Sequence, residues 1–170
     1  HNTTLSKEMK TRGDKTAPVA SWKDKREWVA YAFTELEEAG FTVTSAYTAV
    51  KDTSRSRFVY RDQLWRGADL IGLGVASFSH VGGTHFQNEH EFNTYLDRLR
   101  KNELPIYRAL TTTPEERMIR EFILQLKLGR VDRAYFQAKF GVDIQQRFAK
   151  PFQVLQDWGV LTLGPHGVQL

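Results

Sequence analysis

The stretch Leu64–Ser79 (LWRGADLIGLGVASFS) restricts the fold more than any other part of the chain. A short apolar run, Ala68 to Ile71, reads as a buried strand that leads directly into Gly72-Leu73-Gly74 and a loop of small residues. In α/β proteins ligands gather at the end of such a strand, where glycines let them approach the backbone. Gly72 and Gly74 therefore mark a candidate cradle for a phosphate, a carboxylate or a nucleoside. The turn has neither a third glycine at dinucleotide spacing nor a helix start directly after it, so a Rossmann fingerprint fails.

On either side of this stretch the hydrophobic period changes. Residues 1 to about 20 are polar, carry Gly13 and Pro18, and show no period, which predicts a tail or linker. From Ser21, a capping residue, Trp28, Val29, Ala32, Phe33 and Leu36 recur at helical spacing, and Gly40 sits where the helix should end. Phe41 to Tyr47 is β-branched and aromatic, hence a strand. Helix, glycine and strand make the αβ step of a barrel or doubly wound sheet. Lys51 to Arg57 reads as a loop, and so does Ser79 to Phe86. Asn88 with Glu91 is the expected capping pair of a helix carrying Phe92, Tyr95, Leu96 and Leu99. Leu104-Pro105-Ile106 closes this part, placing its boundary near residue 108.

A second unit follows over 109–170. Thr113-Pro114-Glu115-Glu116 combines a cap, a proline at the first helical position and an acid at the third. Met118, Ile119, Phe122, Ile123 and Leu126 line one face of that helix, which Gly129 ends. Asp132 opens a second helix through Tyr135, Phe136 and Phe140, stopped at Gly141. Asp143 opens a third through Ile144, Phe148, Phe152 and Leu155, with a bend at Pro151. Val160 to Leu163, a Gly-Pro-His-Gly turn and Val168 to Leu170 form a hairpin. Three helices and a hairpin predict a small α+β, winged-helix-like module.

Composition limits the chemistry. The sequence has no cysteine, which excludes a disulfide scaffold, a cysteine nucleophile and a thiolate metal or iron–sulfur site within it. No signal-peptide pattern is visible, and no apolar run approaches the ~18 residues of a membrane span; the chain is read as soluble and cytoplasmic. It starts at His1 without a methionine and stops inside a hairpin strand, so both ends read as cut. The net charge of +4, from 24 basic and 20 acidic residues, is spread along the chain. His80, His85 and His90 are five residues apart, not the three or four that would align ligands on a helix; loop folding could still gather them, which leaves a haem- or metal-binding alternative. Arg117, Arg120, Lys127, Arg130 and Arg133 give the second unit a basic side, the basis of a DNA-binding alternative. The third helix, the natural reader of a groove, offers only Arg147 and Lys150 against Asp157.

Several loose motifs occur here in a specific order. Glu37-Glu38-Ala39-Gly40-Phe41 is followed by Leu64-Trp65, Gly72, Gly74 and Ser79, then by Asn88, Tyr95, the Glu115-Glu116-Arg117 helix and Phe140-Gly141. From about Arg26 to Leu170 this order resembles the C-terminal part of the oxygen-independent coproporphyrinogen III oxidase-like family of radical S-adenosylmethionine (SAM) enzymes. Departures are Tyr60-Arg61 in place of a His-Asn pair, and Val75-Ala76-Ser77-Phe78 in place of Pro-Gly-Ala-His. The resemblance implies that residues 21–108 are the last αβ units of a partial TIM-like barrel and that 109–170 cap it. It implies SAM and a [4Fe–4S] cluster in the parent protein, with the cluster's cysteines upstream of this segment, an upstream radical SAM barrel and an electron donor as partners, and a tetrapyrrole-like substrate. The cluster reduces SAM to a radical that abstracts hydrogen from substrate, while the protein positions and excludes water. In that picture Gly72 and Gly74 allow close approach, Ser79 donates a hydrogen bond, Trp65 stacks on a flat ligand, and Arg61 or Arg66 holds its carboxylates. No catalytic residue or metal ligand is assigned to the segment. Related chemistries within the same superfamily are methyl transfer, haem breakdown and haem delivery.

Overall fold

A computed structural model describes residues 4–13 and 20–170; the expectation for residues 1–3 and 14–19, including Pro18, lies outside the described residues. Contacts divide the chain into two compact units. One comprises residues up to Val43 with Ala49–Thr53, the other Thr44–Thr48 with Ser54–Leu170.

In the first unit, residues expected to be a periodless tail form helix α1 (Thr4–Arg12). No glycine or proline interrupts this stretch, and the Arg12 guanidinium reaches back one turn to Glu8 at 3.3 Å. Helix α2 (Trp22–Glu38) has the boundaries its sequence announces. Ser21 and Asp24 form a complete capping box, the Asp24 N–H donating to Ser21 Oγ at 3.2 Å and the Ser21 N–H donating to Asp24 Oδ2 at 3.0 Å. At the other end the N–H groups of Gly40 and Phe41 donate to the carbonyls of Glu37 and Leu36, a full Schellman closure. No residue of α2 is buried, and Trp28, Val29 and Tyr31 are exposed. The strand expected over Phe41–Tyr47 is shorter: β1 (Thr42–Ser45) turns back into β2 (Thr48–Val50) as a two-stranded sheet.

The second unit departs from the sequence reading in its first half. Helix α3 (Val59–Trp65) occupies the entry to the glycine stretch, where no helix was expected. The strand expected at Ala68–Ile71 reduces to a single bridge between Leu70 and His80, with Ile71 exposed. Glycines at 67, 72 and 74 leave too few consecutive residues for a ladder. The Ser79–Phe86 loop is instead a hairpin. Strands β3 (Phe78–Val81) and β4 (Thr84–Asn88) are joined by Gly82-Gly83, whose φ values of 57° and 82° suit a two-residue turn. Helix α4 (Phe92–Arg100) begins after Glu91, which makes no capping bond, because Asn88 is already the last residue of β4. Strand β5 (Ile106–Thr111) completes an antiparallel sheet of order β3-β4-β5.

The second half follows its sequence closely. Helix α5 (Pro114–Leu126) starts on the Thr113–Glu116 capping box; β6 (Arg130–Asp132) leads into α6 (Arg133–Phe140), capped by Asp132 and closed at Gly141. The predicted bend at Pro151 is a full interruption at Phe148, between α7 (Ile144–Arg147) and α8 (Ala149–Asp157). A proline ring clashes with the carbonyl four residues earlier, here that of Arg147, so the break falls one turn before Pro151. Strands β7 (Thr162–Gly164) and β8 (Gly167–Gln169) form the expected hairpin, and β6 joins it in an antiparallel sheet of order β6-β8-β7. The core is Met118, Phe122, Val131, Phe136, Ile144, Phe152, Leu161 and Val168, with Phe136 and Ile144 fully enclosed. On α5 the buried residues are Met118, Glu121, Phe122 and Gln125; Ile123, predicted inside, is exposed. The architecture is mixed α/β.

Candidate functional site

Arg61 and Trp65 lie one turn apart on α3 and are both buried. The Arg61 guanidinium donates to Thr48 Oγ1 at 2.5 Å and to Asp62 Oδ1 through Nε and Nη2, at 3.0 and 2.8 Å. It also lies 5.2 Å from the centre of the Trp65 ring, and Lys127 Nζ lies 5.6 Å from the same ring. Arg61 is thus engaged with Asp62 and Thr48, and Trp65 packs against the chain's own cations.

The turn after α3 is held by a network that the sequence reading missed. Lys139 Nζ donates to Glu121 Oε1 at 2.8 Å and to the Arg66 carbonyl at 2.7 Å; Tyr135 Oη donates to Glu121 Oε2 at 2.6 Å and stands 3.0 Å from the same carbonyl. Burial, and then the hydrogen bond to Glu121, push the Tyr135 phenol well above its ordinary range. Gly67 leaves space for this carboxylate, since a β-carbon there would come within 2.0 Å of Glu121 Oε1, and its φ of 79° further disfavours a side chain. The signal for Glu121 was present in the helical stripe 118, 121, 122, 125, but a charged residue there reads as solvated unless its partners on α6 are known.

The glycine loop is closed upon itself. A β-carbon at Gly72 would stand 2.3 Å from the Phe78 carbonyl oxygen, so the missing side chain admits the protein's own backbone rather than a ligand. The Gly72 N–H donates to Ser79 Oγ at 3.0 Å, and Ser79 is 1% exposed. Asn88 Nδ2 donates to the carbonyls of Gly72 and Gly74 at 3.1 and 3.0 Å, and the Asn88 N–H donates to the Ser77 carbonyl at 2.9 Å. Gly72 and Ser79 thus make internal contacts, while a β-carbon at Gly74 would meet only Ser77 Oγ, at 3.8 Å. What the loop presents outward is apolar: Ile71, Leu73 and Phe78 are exposed, Phe78 stacking on His85 at 5.5 Å.

His80 and His85 face each other across β3 and β4, their rings 6.1 Å apart, but His80 is buried. Burial first, then Arg120 and His85, hold the His80 imidazolium below its usual pKa, so it is neutral near pH 7. His90 meets the edge of Tyr107 instead. Among the described residues no group of three or more His, Cys, Asp or Glu side chains could hold a metal ion. In the helix expected to read DNA, Arg147 pairs with Glu115. Arg66 borders a cavity of about 800 Å³, shared with Gln125, Arg130, Thr162, His166 and Gln169.

Residues 112–170, which contain the buried cluster around Phe136 and Ile144, match the family model for the HemN C-terminal domain. Over 166 residues, 89% of this chain and 36% of the relative, the sequence is 23% identical to the oxygen-independent coproporphyrinogen III oxidase of Helicobacter pylori. The chain is similar to the C-terminal part of oxygen-independent coproporphyrinogen III oxidase. The enzyme of that name from Pseudomonas aeruginosa is 30% identical over 107 residues, which are 60% of this chain and 23% of the relative. A solved structure described as "Coproporphyrinogen III oxidase (HemN) from Escherichia coli is a Radical SAM enzyme" shares the fold, with a TM-score of 0.66 and 18% identity over 89% of this chain and 38% of its own. The chain therefore spans between about a quarter and two fifths of the length of the coproporphyrinogen III oxidases it matches.

Proposed function

We propose that this chain is the C-terminal part of a radical SAM enzyme acting on a tetrapyrrole-like substrate, with oxidative decarboxylation of a porphyrinogen as the reaction. In this reading residues 21–108 complete a partial TIM-like barrel with an upstream radical SAM segment, and 109–170 act as a winged-helix-like cap. The observation that carries it is the glycine loop. Asn88 and Ser79 anchor the loop from within, and Ile71, Leu73 and Phe78 point outward as an apolar floor for a flat substrate. Arg66, beside Arg130 at the large cavity, supplies charge for substrate carboxylates. The residues present do not fit an iron–sulfur cluster, since the sequence has no cysteine and the described residues form no ligand group; its ligands belong upstream. SAM and an external electron donor belong to that same upstream segment.

The test uses the full-length enzyme, reconstituted without oxygen and supplied with coproporphyrinogen III and SAM. Leu73→Asp places a charge on the exposed apolar floor, where Leu73 supports no packing. Turnover is expected to fall at least roughly tenfold, each tenfold being about 1.36 kcal/mol of activation barrier, while cluster absorbance stays unchanged. Wild-type turnover in Leu73→Asp would overturn the assignment. Gly72→Val is the poorer probe, because its side chain collides with the Phe78 carbonyl whatever the loop binds.

A further inference from the structure

We propose that α5 and the β3–β4 turn together form a binding site for a single oxyanion, carboxylate or phosphate, held by Arg117, Arg120 and His80. Arg117 and Arg120 are three residues apart on α5 and so share a face. Arg117 lies against the turn: a β-carbon at Gly83 would stand 3.1 Å from its Nη1 and 3.3 Å from its Cζ. His80, three residues before Gly83, is 5% exposed and close enough to Arg120 for that guanidinium to depress its protonation.

Two of these groups carry buried nitrogens without partners. His80 Nδ1 and Arg117 Nε are buried with no hydrogen-bond partner. Burial lowers the pKa of Arg120, opposed by the charge of Glu121. Neither arginine belongs to an ion pair among the described residues. The acids within electrostatic reach of His80 are Asp69 and Glu121, and both are engaged elsewhere. Asp69 Oδ1 accepts the Gly82 N–H at 2.9 Å, and Glu121 is bound by Lys139 and Tyr135. His85, the remaining titratable neighbour, adds no negative charge. Native proteins seldom leave buried donors unpaired, and guanidinium forks match the paired oxygens of carboxylate and phosphate. An oxyanion supplies the missing acceptors. The site does not depend on the proposed reaction.

The experiment titrates the 170-residue chain with sodium phosphate and with sodium propionate, against sodium chloride at matched ionic strength. It follows the His80 imidazole by long-range ¹H–¹⁵N correlation, with thermal unfolding in parallel. A saturable shift of the His80 resonances and a saturable rise in Tm, absent with chloride, are expected. Arg117→Gln and Arg120→Gln should each weaken the anion at least tenfold, and Arg120→Lys should lose less. Arg108→Gln, on the β5 edge, should bind as wild type. Tighter binding of phosphate identifies a phosphoryl ligand, and tighter binding of propionate an organic acid; either supports the site. No saturable response beyond chloride in the wild-type chain overturns it, whatever the variants do. Undiminished binding in both folded Gln variants overturns it equally.

Discussion

Lys139→Met tests whether the Arg66 turn is held by charge. The substitution keeps the length and apolar stem of the side chain but removes the four bonds that Nζ makes to Glu121 Oε1, Glu121 Oε2, the Arg66 carbonyl and Tyr135 Oη, at 2.8, 3.0, 2.7 and 3.1 Å. Glu121, whose side chain is 6% exposed, is left with Tyr135 as its partner. Removing one partner of a buried pair typically costs about 3–5 kcal/mol. The Lys139 side chain is itself 39% exposed, so part of that attraction is already screened. A loss of about 2–3 kcal/mol is therefore expected, or roughly 5–10 °C in Tm for a chain of this size. Replacing both members should do less harm. In Glu121→Leu/Lys139→Met no buried charge remains unpaired, and the Tyr135 hydroxyl, freed from Glu121, can donate to the Arg66 carbonyl 3.0 Å away. The double variant should thus be more stable than Lys139→Met alone, with a coupling of at least about 1 kcal/mol. Urea unfolding followed by circular dichroism measures all four corners of the cycle. If the two losses simply add, or if Lys139→Met costs less than about 0.5 kcal/mol, the reasoning fails.

Further expectations concern the core, the turn and the hairpin. Phe136→Ala empties a fully enclosed site ringed by Phe122, Tyr135 and Phe140, and should cost about 3–5 kcal/mol by urea unfolding. Gly67→Ala combines a left-handed backbone with a collision at Glu121 and should cost about 2 kcal/mol, less when Glu121 is also shortened to Ala. His80, held neutral by burial, takes up a proton more readily unfolded than folded. Its contribution is therefore intact above the unfolded value of 6.5 and is lost as pH falls below it towards the lower folded value. Thermal melts from pH 7.5 to 5.5 should show this slope in the wild type and a flatter one in His80→Leu; parallel slopes would refute it.

The C-terminal half was legible because its signals are local. Thr113-Pro114-Glu115-Glu116, Asp132 and Asp143 each satisfy helix N–H groups within three residues, so the sequence contains both members of every bond. The glycine stretch was not legible, because its partners are remote: Gly72 is explained by Phe78 and Ser79, and its carbonyl by Asn88, sixteen residues on. Asn88 shows the ambiguity well. Its spacing to Glu91 fits a capping box, and only the pairing of β4 with β5 reveals that its amide is spent on the loop. What the candidate residues Arg61 and Trp65 face depends on Thr48 and Lys127, which no local pattern connects to them.

The Arg66 turn is gripped by its main-chain oxygen, not by its side chain. Any amino acid at this position would offer Lys139 and Tyr135 the same oxygen. The anchoring of the chain and the chemistry displayed at the cavity mouth are therefore separable. Exchanging the guanidinium for another head group could retune what is admitted there without loosening the scaffold beneath.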